Sequence, residues 1–225
     1  MPEQLIALLA KYSFKIFAKV KAASGIAKSN YELGFTYNGV TTLKDFYSPD
    51  LKEIIYWTNF KSINLYAESL LKTLSENNNT SKTTVTGLEN LKNFIIENGV
   101  DNESFILYDG SGLSPSNRLT TNAYTTLLVK IAKSPYFPTI DESLSIAGHP
   151  EKNGYLRSML NGTTAANNLK AKSGYMEGVR AYAGYVTDKA NRKLAFALVV
   201  NDYDCSATEM RKLMEPILLN VAELR

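Results

Sequence analysis

An α+β protein is predicted by three features of the sequence. Helical periodicity recurs between Ser48 and Ala132, the stretch from Asn168 to Val200 reads as a β-hairpin followed by a further strand, and Ser206 to Glu209, S-A-T-E, is a helix start signal. At 225 residues, 44% hydrophobic and 21% charged, the chain is long enough for one sizeable core, and a single domain over residues 1–225 is expected.

Residues 1–20 place Leu5, Leu8, Leu9, Tyr12 and Ile16 at helical spacing. Lys11, Lys15 and Lys19 interrupt them and no small-residue cleavage site follows, so the expectation is an amphipathic helix and not a signal peptide. It frays near Ala22 to Gly25, and the turn signals from Gly34 to Lys44 specify little. From Ser48 a helix begins well: Ser48 can cap, Pro49 suits the first turn, and Leu51, Ile54, Ile55 and Trp57 form an apolar face that breaks near Asn59. Ser62-Ile63-Asn64 opens a second helix through Leu65, Tyr66, Leu70, Leu71 and Leu74, stopped by the polar run Glu76 to Asn79. A third spans Thr86 to Asn98, with Leu88, Leu91, Phe94 and Ile95 inward and Gly99 closing it.

Ser104 to Tyr108 is a short strand leading into Asp109-Gly110-Ser111-Gly112, and a helix from Thr121 to Ala132 follows. Pro135 to Gly162 is turn-rich, with a short helix expected only around Tyr155 to Leu160. In the hairpin, Leu169 and Ala171 alternate with polar neighbours, Gly178 supplies the turn, and Ala181, Ala183 and Tyr185 resume the period of two. Leu194 to Val200 is a continuous apolar run, which predicts a strand buried on both faces. The last helix runs through Met210, Leu213, Ile217 and Leu218, and Pro216 predicts a kink or break near Lys212 to Glu215.

Several classes of function are disfavoured by composition. A net charge of +3 from scattered lysines gives no basic stripe, so no nucleic-acid partner is expected. Cys205 is the only cysteine and His149 the only histidine, so neither an intrachain disulfide nor a metal or cofactor site is expected. No apolar run approaches the length of a membrane span, so no transmembrane segment is expected.

The residues that carry chemistry lie at two places. Lys172-Ser173-Gly174 at the mouth of the hairpin offers a cation, a hydroxyl and an unobstructed backbone, which suit a carboxylate-bearing peptide bound as an added strand. A solvated lysine on a hairpin has the same letters, and Ser62 read alone is as well explained as a helix cap. Together, Ser62, Asn64 and Lys172 supply a hydroxyl for proton relay, an amide to hold a peptide and a cation to stabilise charge. That set serves serine acyl transfer built on S-x-x-K, S-x-N and K-[ST]-G elements.

With those positions in view, three stretches in order, Ser48 to Leu74, Tyr108 to Thr120 (YDGSGLSPSNRLT) and Ala171 to Val186 (AKSGYMEGVRAYAGYV), closely resemble the D-alanyl-D-alanine carboxypeptidases of the class C penicillin-binding proteins. The resemblance covers residues 48–200 well and the first 45 loosely. It implies the penicillin-binding transpeptidase and serine β-lactamase architecture, an antiparallel sheet with flanking helices, and hydrolysis of the terminal D-Ala-D-Ala bond of peptidoglycan stem peptides outside the cytoplasm, with β-lactams as competing ligands. By the same resemblance Ser62 and Asn64 hold the S-x-N positions, Lys172, Ser173 and Gly174 hold K-[ST]-G, and the Tyr175 N–H belongs to the oxyanion hole. Asp109 to Leu113 matches a glycine-rich loop of structural role.

Two departures from the family pattern stand out. Tyr175 replaces the Thr or Ser common in relatives, and the nucleophile-bearing S-x-x-K expected far upstream of S-x-N is not found there. The one S-x-x-K in the chain, Ser69-Leu70-Leu71-Lys72, lies seven residues past Ser62 on the same expected helix and reads as coincidence. The expectation is therefore the C-terminal part of a longer carboxypeptidase, inactive alone, with exposed apolar surface that favours self-association. The rival expectation is a non-catalytic peptide-binding or structural module.

Overall fold

A computed structural model describes residues 48–75, 83–150 and 154–225. The helix expected over residues 1–20, the turns of Gly34 to Lys44 and the stop at Glu76 to Asn79 lie outside the described residues. The chain divides into two compact units, Met1–Asp50 and Leu51–Arg225, and every element below belongs to the second.

Helices come first: α1 (Leu51–Phe60), α2 (Asn64–Thr73) and α3 (Thr84–Glu97). The Thr83 hydroxyl caps α3 by accepting from Thr86 N, and Gly99, at φ 90°, turns the chain at its end where a side chain would be strained. A single turn of 3₁₀ helix leads to β1 (Phe105–Ile106), which pairs antiparallel with β2 (Arg118–Leu119). Next come α4 (Thr121–Ala132), with the expected bounds, and α5 (Phe137–Ser143). Ile95, Val100, Phe105 and Ala123 form a small buried cluster that ties α3, β1 and α4 together.

The remaining strands, β3 (Ser145–Ile146), β4 (Lys170–Met176), β5 (Val179–Thr187) and β6 (Lys193–Asn201), form one antiparallel sheet in the order β3-β4-β5-β6. Met176 pairs with Val179, so the hairpin closes through Glu177-Gly178, and Gly178 at φ 71° takes the left-handed position. Across the sheet, Ala171, Gly184 and Phe196 are mutual neighbours, as are Ser173, Tyr182 and Leu198. Alternation puts Lys172, Ala183 and Ala197 on the opposite face. The first face is the core: Ala171, Tyr182, Val186 and Phe196 are buried against Met210, Met214 and Leu218 of α6 (Ala207–Ala222) and against Leu156, Met159 and Leu169 from the preceding loop. The sheet flanked by helices is the expected α+β class.

The cap of α6 also follows expectation. Ser206 Oγ accepts from Glu209 N at 3.2 Å while the Glu209 carboxylate accepts from Ser206 N at 2.9 Å. Ser206→Ala is expected to cost about 1 kcal/mol of stability, read from urea unfolding, because it orphans an N–H of the first turn.

Five local expectations are corrected. α6 runs unbroken through Pro216, since burial of Met214, Leu218 and Ala222 outweighs one lost backbone bond on the solvent side. Phe94 is 58% exposed because α3 packs on Gly87, which leaves no space for a side chain beside Leu71, and this turns Ile95 inward. Leu51 and Trp57 are exposed, and Phe60 is the residue α1 buries. Tyr155 to Leu160 forms successive turns and no helix, with single i→i+3 bonds such as Met159 N to Leu156 O at 2.9 Å. β6 is fully buried only at Phe196: it is the edge strand of the described sheet, so that even Leu194, Leu198 and Val200, which face the core, are only partly covered.

Candidate active site

Between α1 and α2 the chain makes a sharp turn at Ser62, whose φ of 53° is a left-handed conformation that costs a non-glycine residue energy. The turn keeps Ser62 out of the capping position. Ile63 is the N-cap of α2 and makes no side-chain cap bond, so the Ser62 hydroxyl is free to accept from Lys172 Nζ at 2.9 Å. The two residues are 110 apart in sequence. The bland readings, a helix cap and a solvated lysine, are therefore not what these residues do.

The Lys172 ammonium also donates to its neighbour's carbonyl, Ser173 O, at 2.6 Å, and no carboxylate pairs with it among the described residues. Burial without a counter-charge lowers its pKa below the usual lysine value. Asn64, the first residue of α2, is exposed two residues past Ser62 and makes no side-chain hydrogen bond to another described residue.

β4 offers the site an edge as well as a face. The Leu169 carbonyl accepts from Ala147 N at 2.9 Å, on the β3 side. Lys170 O points the other way, because a side chain added to Gly184 of β5 would run into it. Backbone direction repeats every second residue, so Ser173 and Tyr175 turn their N–H and C=O groups to the β3 side. There β3 ends with Ser145 opposite Ala171, leaving β4 unpaired on that edge from Lys172 onward among the described residues. Gly174 shares the Lys172 face, and an added methyl there would meet only Ala181 Cβ at 3.5 Å. Packing does not require that glycine.

The side chains of Ser173 and Tyr175 stand on the other face, so backbone is what they present beside Lys172. Tyr175 is 60% exposed, and the Arg180 guanidinium lies 5.6 Å from its ring centre while donating to Tyr182 Oη at 3.0 and 2.8 Å.

The glycine-rich loop is docked on α2. The Glu68 carboxylate accepts from the N–H groups of Gly110 and Ser111 at 3.1 and 2.9 Å, and Asp109 accepts from Gly112, Ser114 and Asn117. Ser69, the serine of the lone S-x-x-K, donates to Leu65 O at 2.7 Å, the usual back-bond of a helical serine. Sequence reasoning missed three groups around the site: Asn59, which donates to Ser143 Oγ at 2.8 Å, and the Asp141–Lys170 ion pair. The one sequence signal for the helix carrying Asp141 and Ser143 was Pro138, which suits a first turn.

The family model described as D-Ala-D-Ala carboxypeptidase 3 (S13) matches residues 6–223. A D-alanyl-D-alanine carboxypeptidase of an Actinomadura species is 34% identical over 163 residues, which cover 72% of this chain and 30% of the relative. Penicillin-binding protein 4 of Haemophilus influenzae superposes with a TM-score of 0.67 at 23% identity, over 76% of this chain and 40% of that one. An extended-spectrum β-lactamase superposes with a TM-score of 0.55 at 20% identity, over 77% of this chain and 64% of that one. The fold is thus the penicillin-binding and serine β-lactamase architecture. The chain spans 30% to 43% of the length of the curated relatives it matches.

Proposed function

The chain belongs to the D-Ala-D-Ala carboxypeptidase 3 (S13) family, and on that premise we propose that its Ser62, Asn64 and β4 face takes the D-Ala-D-Ala end of a peptidoglycan stem peptide. The face would serve a serine-type carboxypeptidase that works through an acyl-enzyme, outside the cytoplasm where that substrate lies. No described helix is long and apolar enough to cross a membrane.

The observation that carries this reading is the 2.9 Å contact of Lys172 with Ser62 beside a strand edge that no described residue pairs. The peptide adds as a strand along β4, its terminal carboxylate drawn to the Lys172 ammonium. Tyr175 N–H, on the β4 edge, would donate to a developing oxyanion. Ser62 would pass a proton to the leaving amine, a role supported by its bond to a lysine of lowered pKa. Asn64 is left to hold the peptide backbone. β-Lactams, which present a carboxylate and an acyl group in similar array, take the same face.

For the 225-residue chain by itself we propose binding without turnover, as in a peptide-binding module. The observation favouring this is that the one S-x-x-K serine, Ser69, spends its proton on a helical carbonyl.

Calorimetric titration with N-acetyl-D-Ala-D-Ala tests the face. Lys172→Met is expected to weaken binding roughly 10- to 100-fold, the loss of a charge-assisted bond. Equal affinity in the variant would sink the reading. The same substitution is expected to leave Tm unchanged or raise it at neutral pH, since it removes a partly buried cation with no carboxylate partner among the described residues. Because the folded pKa lies below the unfolded value of 10.5, the unfolded chain holds more protons between the two. Wild-type stability therefore rises with pH in that interval, and the gap to Lys172→Met closes towards pH 10.5. Gly174→Ala should fold normally yet bind the peptide less well, its methyl standing beside Lys172.

A further inference from the structure

Neither Ser62 nor Lys172 is placed by its own element alone. Ser62 sits in a strained turn, and β4 loses its β3 neighbour just where Lys172 begins. Helix α5 contacts the chain just ahead of each, at Asn59 and at Lys170. Its Ser143 is fully buried, accepts from Asn59 Nδ2 at 2.8 Å and donates to Ile140 O at 2.7 Å. Asn59 is three residues before Ser62, in the last turn of α1. One residue pair along, Asp141 forms an ion pair with Lys170, which is two residues before Lys172 on the same face of β4. At the other end of α5 the Phe137 ring stands edge-on to Tyr185, the cross-strand partner of Lys170, with centroids 5.2 Å apart. Tyr185 in turn donates to Leu128 O of α4 at 2.8 Å. The helix is thereby braced against the sheet while its last turn grips the chain just ahead of each site residue.

We propose that the last turn of α5 sets the separation of Ser62 from Lys172, Ser143 through Asn59 and Asp141 through Lys170, making Asp141 and Ser143 positioning residues of the peptide-binding face. Ser143 is buried and Asp141 is engaged by Lys170, so both act through other residues. This rests on the reading that the face binds peptide. A shift of a few tenths of an ångström in either arm lengthens the 2.9 Å contact, and sites of this kind lose function steeply with misplacement.

The test uses the full 225-residue chain, with N-acetyl-D-Ala-D-Ala affinity and the NMR resonance of the Lys172 ε-methylene as readouts. Ser143→Ala and Asp141→Asn are expected to weaken affinity about fivefold, the scale of one lost hydrogen bond. They should also move the Lys172 resonance in the direction seen for Ser62→Ala. Asp141→Glu, which keeps the charge, should restore most of the affinity. In a Ser62→Ala background, Ser143→Ala should cost nothing further, whereas a merely structural role would subtract again. Wild-type affinity and an unmoved resonance in both variants would overturn the proposal while leaving the functional reading intact. If the chain bound no peptide, the functional reading alone would fall, and the resonance comparison would still decide the positioning role. Asp141→Asn changes no side-chain volume and keeps an oxygen that can accept from Lys170, so it stands as the folded variant should Ser143→Ala not fold.

Discussion

Incubated with a penicillin, the 225-residue chain is expected to keep its mass. Acylation needs a hydroxyl whose proton is taken by an adjacent neutral amine, with both aimed at the oxyanion donors. The only S-x-x-K pair in the chain, Ser69 and Lys72, does not meet that requirement. Ser69 Oγ is engaged with Leu65 O, and it lies seven residues, two helical turns or roughly 10 Å along α2, from Ser62. Removal of a nucleophile costs on the order of 10⁶ in rate in a well-studied serine protease, so residual binding groups should give weak, reversible affinity only. Intact-mass spectrometry decides. A covalent adduct on Ser69, absent from Ser69→Ala, would overturn the expectation. An adduct on Ser62 would do so differently, by making Ser62 and Lys172 a nucleophile and base in their own right.

Gly184→Ala is expected to cause the largest loss of stability among single-methyl changes in the sheet. The new Cβ would lie 2.7 Å from Ala171 Cα and closer still to the Lys170 carbonyl oxygen, both backbone atoms that no rotamer change can move. β4 and β5 would have to separate near the open end of the hairpin, against Ala171 and Tyr182 in the main core. A cost of about 3 kcal/mol or more is expected, at the upper end of overpacking effects. It should appear as a lower urea midpoint. A loss below about 1 kcal/mol would mean that the two strands are not packed as described. Gly174→Ala, ten residues away on the open face, is the control for the chemistry of the substitution itself.

The parts legible in the sequence are those whose signals are local. The hairpin announced itself through alternation and Gly178, α6 through its capping box, and α4 through unbroken periodicity from Thr121. Ser62 and Lys172 stood out as candidates because they sit in short motifs, although nothing local could show a contact across 110 residues. What escaped notice depended on neighbours distant in sequence. The seven residues of α5 carry little local signal beyond Pro138 and are stabilised mainly from outside, by Tyr185, Lys170 and Asn59. Phe94 and Trp57 looked inward on their own helices, but the inward direction was set by Gly87 against Leu71 and by Phe60 beside Gly154.

The bond from Lys172 Nζ to Ser173 O has a consequence for selectivity between wanted and unwanted strands. An uncovered strand edge invites any extended segment, including one from a neighbouring molecule, and many proteins guard such edges with lysine. Here the lysine folds onto its own strand and occupies Ser173 O, an acceptor that an incoming strand would use. A segment without a negative charge has to compete with the ammonium for that carbonyl. On the proposed reading, a chain end carrying a carboxylate would remove the competitor by attracting it, and so unlock the edge for itself. The same side chain would thus act as guard against aggregation and as latch for a charged peptide terminus.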